Sequence, residues 1–140
     1  MSTTVPSSSI SLAGAQQALA AALAAAEAIG ATMCIAVVDV GGEAVLTARM
    51  DGAPRLSAGI ALNKAYTCAG FKGMPTSMWW GAIKDEPALV HGITHTPRLT
   101  IFGGGVPLVV DGQVVGAIGA SGGSAQQDED VAAAGAAAVA

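Results

Sequence analysis

Charge is scarce in this chain: six Lys and Arg and ten Asp and Glu make up 11% of its 140 residues, against about 25% in an ordinary soluble domain. With a net charge of -4 there is no basic stripe to follow a phosphate backbone, so nucleic acid is excluded as a partner. Long hydrophobic runs are missing too. The alanine-rich stretch 13–29 is interrupted by Gln16, Gln17 and Glu27 and falls short of the 18 or more apolar residues a membrane span requires. The opening MSTTVPSSS has neither the basic leader nor the apolar core of a secretion signal, and the chain reads as cytoplasmic or already processed. Cysteine is limited to Cys34 and Cys68, without metal-like spacing, and both read as small buried apolar residues. Also absent are a nucleophile elbow, a phosphate loop, a dinucleotide fingerprint and a zinc motif, which removes the standard enzyme classes those motifs announce.

What is present is apolar residue, 52% of the chain. A single domain of this length with so little charge needs further cover for its apolar surface, which points to a homo-oligomer, larger than a dimer, of tetramer to octamer size. The clearest local signal is 101–123, IFGGGVPLVVDGQVVGAIGASGG. Val106–Val110 and Val114–Ile118 are β-branched runs separated by Asp111-Gly112, the dipeptide of a tight hairpin turn. Because both runs are apolar at nearly every position, this hairpin is expected at the centre of a sheet. A first hairpin is read from Met33–Asp39 and Glu43–Arg49 across Gly41-Gly42, and a further strand from Leu99–Phe102. Helices are expected over 10–29, with an apolar stripe of Ile10, Leu12, Leu19, Leu23 and Ala26, over 56–71, in short pieces at 78–83 and 86–93, and from Ser124 onward, where Asp128, Glu129 and Asp130 oppose the helix dipole. Residues 1–9 are polar and read as flexible. The fold class is therefore α+β: a central antiparallel sheet of about five strands from two hairpins, flanked by helices.

Three groups of residues carry candidate chemistry. Arg49 ends a strand, Asp51 lies in the turn after it, and Lys64 sits on the helical stripe Ile60, Lys64, Thr67 and Phe71. If the three converge, the two cations could hold a carboxylate or enolate oxygen while Asp51 orients one of them or moves a proton; the alternative is a structural ion pair between Lys64 and Asp51. His91 and His95, four apart, would share a helical face as two imidazoles of a metal site do, but no third ligand is fixed and no metal is assigned. Either could act alone as a general acid or base. Phe71, Trp79 and Trp80 could wall an apolar pocket, and Gly103, Gly104 and Gly105 leave backbone amides open to a ligand or simply permit close packing.

The blocks AVVDVGG (36–42), RMDGAP (49–54), Asn63-Lys64-Ala65, GGGVPLVVDGQVVGAIGASGG (103–123) and Asp128–Asp130 before AAAG together resemble the GlcG/HbpS family, over roughly Leu12 to Gly135. The resemblance implies an α/β domain with a central antiparallel sheet, assembly into tetramers or octamers, and binding of haem or another small ligand. Relatives that hold haem through a histidine on or near the first helix differ from this chain, whose first helix has none. Iron ligands here would come from His91, His95, Met33, Met50, Met74, Met78, Cys34, Cys68 or a Thr or Tyr oxygen. Two functions are thus expected: a binding protein for haem or a related planar ligand, and a cofactor-independent lyase or isomerase acting on a small carbonyl or carboxylate compound.

Overall fold

The computed structural model describes residues 1–140. In chain order the elements are α1 (Leu12–Ala28), β1 (Cys34–Asp39), β2 (Ala44–Arg49), α2 (Ser57–Gly70), a 3-10 turn (Thr76–Met78), α3 (Trp79–Ile83), α4 (Pro87–Ile93), β3 (Gly105–Val110), β4 (Gln113–Ser121) and α5 (Ala125–Ala137). The four strands form one antiparallel sheet in the order β2-β1-β4-β3. The expected strand at 99–102 does not form. That segment instead turns back over α2, where the Thr67 hydroxyl donates to the Arg98 carbonyl and accepts from the Thr100 amide, so its backbone bonds are not free for a ladder.

Asp111 and Gly112 have positive φ of 51° and 76°, as a tight two-residue hairpin turn demands. The hairpin is central through β4 only. β4 is buried from Val115 to Ser121, whereas β3 is an edge strand with Val109 exposed. Pro107 is the reason, since it lacks the amide that a second neighbour would require.

Three layers result. α1 and α5 cover one face of the sheet with the larger core, including Met33, Ile35, Val37, Leu108, Ile118 and Val131. On α1 the buried stripe is Ala15, Ala18, Ala22 and Ala26, all fully enclosed, while Leu12 is exposed. Ile10, Leu19 and Leu23 of the expected stripe pack partly buried against the same core, and the fully enclosed positions are alanines because α5 comes very close: a Cβ on Gly135 would lie 2.8 Å from the Ala18 carbonyl. α2 covers the other face, with Ala61, Ala65 and Cys68 against Ala36, Val38 and Ala117. Gly119 of β4 allows this approach, since a Cβ there would run into the Ala61 carbonyl and sit 2.8 Å from the Ala65 amide. No helix is long and apolar enough to cross a membrane.

Candidate functional site

α2 points its Lys64 side chain to the end of the sheet, where it is completely buried. The ammonium donates to Asp128 Oδ2 at 2.8 Å and to the Ala120 carbonyl at 2.9 Å, and lies 5.0 Å from the centroid of the Phe102 ring. Burial pushes its pKa down, while the hydrogen bond and the charge of Asp128 oppose that shift. Asp128 is held from its other side by the Gly123 amide, which donates to Oδ1 at 2.8 Å. The first turn of α5 is fixed around it by a capping box between Ser124 and Gln127. Thus Asp128, read in the sequence as a favourable charge at a helix start, is the counter-ion of a buried lysine.

The expected convergence of Arg49, Asp51 and Lys64 does not occur. Arg49 and Asp51 are exposed and line an open groove with Leu23, Glu27, Ala48 and Met50. Lys64 lies on the other side of β1, against β4 and α5, and the chain's only ion pair is Lys64–Asp128. Its partner is 64 residues away in sequence, too far for a spacing argument to find. His91 and His95 are also separated: α4 ends at Ile93, so only His91 lies on the helix, and both imidazoles are exposed. No cluster of three or more His, Cys, Asp or Glu suits a metal ion. Cys34 and Cys68 are free and buried, and burial pushes the Cys68 thiol up to about 12.

Gly104 and Gly105 are packing residues. A Cβ at Gly104 would come 2.7 Å from Lys64 Nζ, and one at Gly105 would meet Thr76 Cγ2 at the same distance. The Gly105 amide donates to the buried Thr76 hydroxyl at 2.9 Å, and the Gly104 carbonyl accepts from the Ala120 amide. Only Gly103 borders a cleft.

The aromatic residues do gather at open space. α3 is short, and its first two residues divide between two neighbouring clefts, each of about 260 Å³. One is walled by Tyr66, Thr67, Gly70, Phe71, Trp79, Ile93, Thr96, Pro97 and Leu99. The other is walled by Trp80, Ile101, Phe102 and Gly103 with Ser77, Ala125, Gln126 and Glu129, Ser77 donating to the Glu129 carboxylate. The Phe71 and Trp79 rings are in contact, 4.7 Å between centroids and tilted by 53°. Trp79 is buried, and its indole N–H has no hydrogen-bond partner. Phe71, Trp80 and Phe102 are each about half exposed, an uncommon state for so many of the chain's few aromatics. The sequence does not single out Tyr66, which lines the first cleft, nor Arg98, which stacks on Tyr66 and donates to Asn63; Asn63-Lys64-Ala65 is visible as a block, but nothing in its spacing ties it to residue 98.

Comparison with known proteins gives a consistent answer. The profile of the family described as "Haem degrading protein HbpS-like" matches residues 10–137. An uncharacterised 15.0 kDa protein from the dhaT-dhaS intergenic region of Citrobacter freundii is 40% identical over 121 residues, 85% of this chain and 84% of the relative. The crystal structure of Klebsiella pneumoniae protein ORFY superimposes with a TM-score of 0.91 at 36% identity, covering 99% of this chain and 96% of that one. The crystal structure of a PduOC:heme complex superimposes with a TM-score of 0.85 at 31% identity, covering 94% and 95%. Family profile, sequence relatives and architecture agree, and the chain belongs to the HbpS-like family.

Proposed function

We propose that this protein binds a planar, largely apolar small molecule on the aromatic face between α2 and residues 71–102, haem being the candidate its relatives suggest, and that it does so as a homo-oligomer larger than a dimer. The observation that carries the reading is Trp79, a wall residue of a mostly apolar cleft whose buried indole N–H has no acceptor in the protein. An unmade bond at a buried donor costs about 1–3 kcal/mol, which a ligand bringing an acceptor would recover. The exposed half of Phe71, and Trp80 in the neighbouring cleft, extend the apolar surface beyond it. A relative solved with haem supports the choice of ligand.

The residues suit a haem in chemical type. At about 260 Å³ the cleft lies just below the roughly 300 Å³ of the smallest drug-sized sites, so it takes part of a macrocycle and leaves the remainder to the exposed rings. Within the lining the donors are the oxygens of Tyr66, Thr67 and Thr96; His91, His95 and Met78 are exposed outside it and would hold iron where the macrocycle extends beyond the cleft. Bound haem would supply redox and oxygen chemistry. The lyase or isomerase alternative gains nothing from Lys64, whose amine is enclosed and already donates to Ala120 and Asp128.

The test is a haem titration followed in the Soret region and by tryptophan fluorescence. A sharp band that saturates with sub-micromolar affinity, quenching in step, and a loss of about four- to tenfold in Phe71→Ala are expected, a half-exposed Phe contributing on the order of half the 1.5–3 kcal/mol of a fully buried one. A broad, non-saturating spectrum equal in both proteins would refute it.

A further inference from the structure

Arg98 is one of three non-glycine residues in the chain with left-handed backbone, at φ 64°. An arginine there is strained, and strain of this kind persists only where the surroundings over-determine it. They do so here. The buried Thr67 hydroxyl donates to the Arg98 carbonyl at 3.2 Å and accepts from the Thr100 amide at 2.9 Å, pinning the chain at the residue and just after it. The guanidinium lies 3.8 Å from the centroid of the Tyr66 ring, and its Nε donates to Asn63 Oδ1 at 3.1 Å.

So a stacked ring, a side-chain amide and a fixed backbone all orient one fork of donors. Yet Arg98 has no carboxylate partner, the chain's one ion pair being elsewhere, and its Nη groups make no hydrogen bond within the protein. Its neighbours Pro97 and Leu99 and its stacking partner Tyr66 all line the cleft that contains Phe71 and Trp79. Arg98 itself is not part of the lining; its guanidinium stacks on Tyr66, one of the wall residues, with its bidentate face unspent.

We infer that Arg98 is a preset clamp for the carboxylate of a ligand whose planar apolar body occupies the Tyr66–Trp79 cleft. A guanidinium matches a carboxylate with two parallel N–H···O bonds, which a lysine does not reproduce. A cavity of about 260 Å³ sizes the inserted body to one or two fused rings. The inference rests on the ligand-binding role proposed for this cleft and adds the chemical class: a planar aromatic carboxylate.

The experiment is calorimetric titration of the whole protein with 2-naphthoate and with its neutral counterpart 2-naphthamide, with haem run in parallel. Wild type is expected to prefer the carboxylate by about fivefold, the contact being exposed to water. Arg98→Gly accepts the left-handed backbone without a Cβ penalty and leaves Pro97 and Leu99 in place. It should bring naphthoate down to the affinity of naphthamide and leave naphthamide within twofold, with oligomer size unchanged by light scattering. Arg98→Lys should keep only part of the preference. Equal affinities in wild type, or an equal loss for both compounds in Arg98→Gly, overturns the clamp and leaves the cleft reading standing; so does binding of haem with neither naphthalene compound. If haem fails as well, the binding role fails with the clamp.

Discussion

Replacing Lys64 with methionine deletes an ammonium that has no exposed surface and leaves Asp128, 3% exposed, with a carboxylate that has lost its counter-ion. Breaking a buried ion pair from one side costs about 3–5 kcal/mol because the remaining charge stays desolvated. For 140 residues the unfolding entropy near the midpoint is about 0.3 kcal/mol per kelvin, so Lys64→Met should lower Tm by about 10–17 °C. Asp128→Asn should behave similarly, since the ammonium then has no anion although the Gly123 amide keeps an acceptor. The double variant is the decisive one. With both charges gone, the desolvation that depresses Lys64 disappears too, and stability should return to within about 1–2 kcal/mol of wild type, as when a buried pair is replaced by neutral groups. The assay is thermal and urea unfolding of all four proteins at one protein concentration, so that assembly contributes equally. Single variants that cost under about 1 kcal/mol, or a double variant equal to their sum, would refute the buried-pair reasoning.

The two glycines Gly112 and Gly119 should respond differently. Gly112→Val meets open space and suffers only from φ 76°, costing on the order of 1 kcal/mol; Gly119→Ala forces α2 off the sheet and should cost at least 3 kcal/mol or abolish folding, and similar unfolding midpoints for the two would contradict the close approach. Cys68 remains protonated in the fold up to about 12 against an ordinary 9.0. Its thiol therefore contributes stability that is fully present below pH 9.0 and lost as pH rises toward 12, at up to about 1.4 kcal/mol per pH unit; Cys68→Ala should show a shallower loss in that interval by circular dichroism, and identical slopes would contradict the assignment. Light scattering at micromolar concentration should give a particle larger than a dimer, and a stable monomer would contradict the proposed assembly.

Local signals in the sequence located most of the elements. Asp111-Gly112 and Gly42 mark their turns because positive φ restricts the choice of residue, and Pro87 opens α4 at the position where a missing amide is harmless. The strand count was less accessible, since Leu99–Phe102 has strand composition and only the distant Thr67 hydroxyl diverts it. Close packing was legible as small residues but not in its geometry: alanine on α1 signals high helix propensity as readily as it signals the tight α1–α5 contact. At the candidate site, Phe71, Trp79 and Trp80 were identifiable as rare aromatics in a proline-broken segment, and the structure places them around two adjoining clefts. The Lys64–Asp128 pair and the Asn63–Tyr66–Arg98 arrangement were not, because each joins residues more than 30 positions apart.

The central claim is that a planar ligand enters the cleft at Trp79, and the two indole N–H signals of Trp79 and Trp80 report on it directly. With 15N-labelled protein and zinc protoporphyrin as a diamagnetic haem analogue, the Trp79 signal, assigned by its loss in Trp79→Phe, should shift as the unpartnered N–H gains an acceptor or a ring-current neighbour. A Trp79 signal that stays in place while absorbance shows the porphyrin bound would contradict the account.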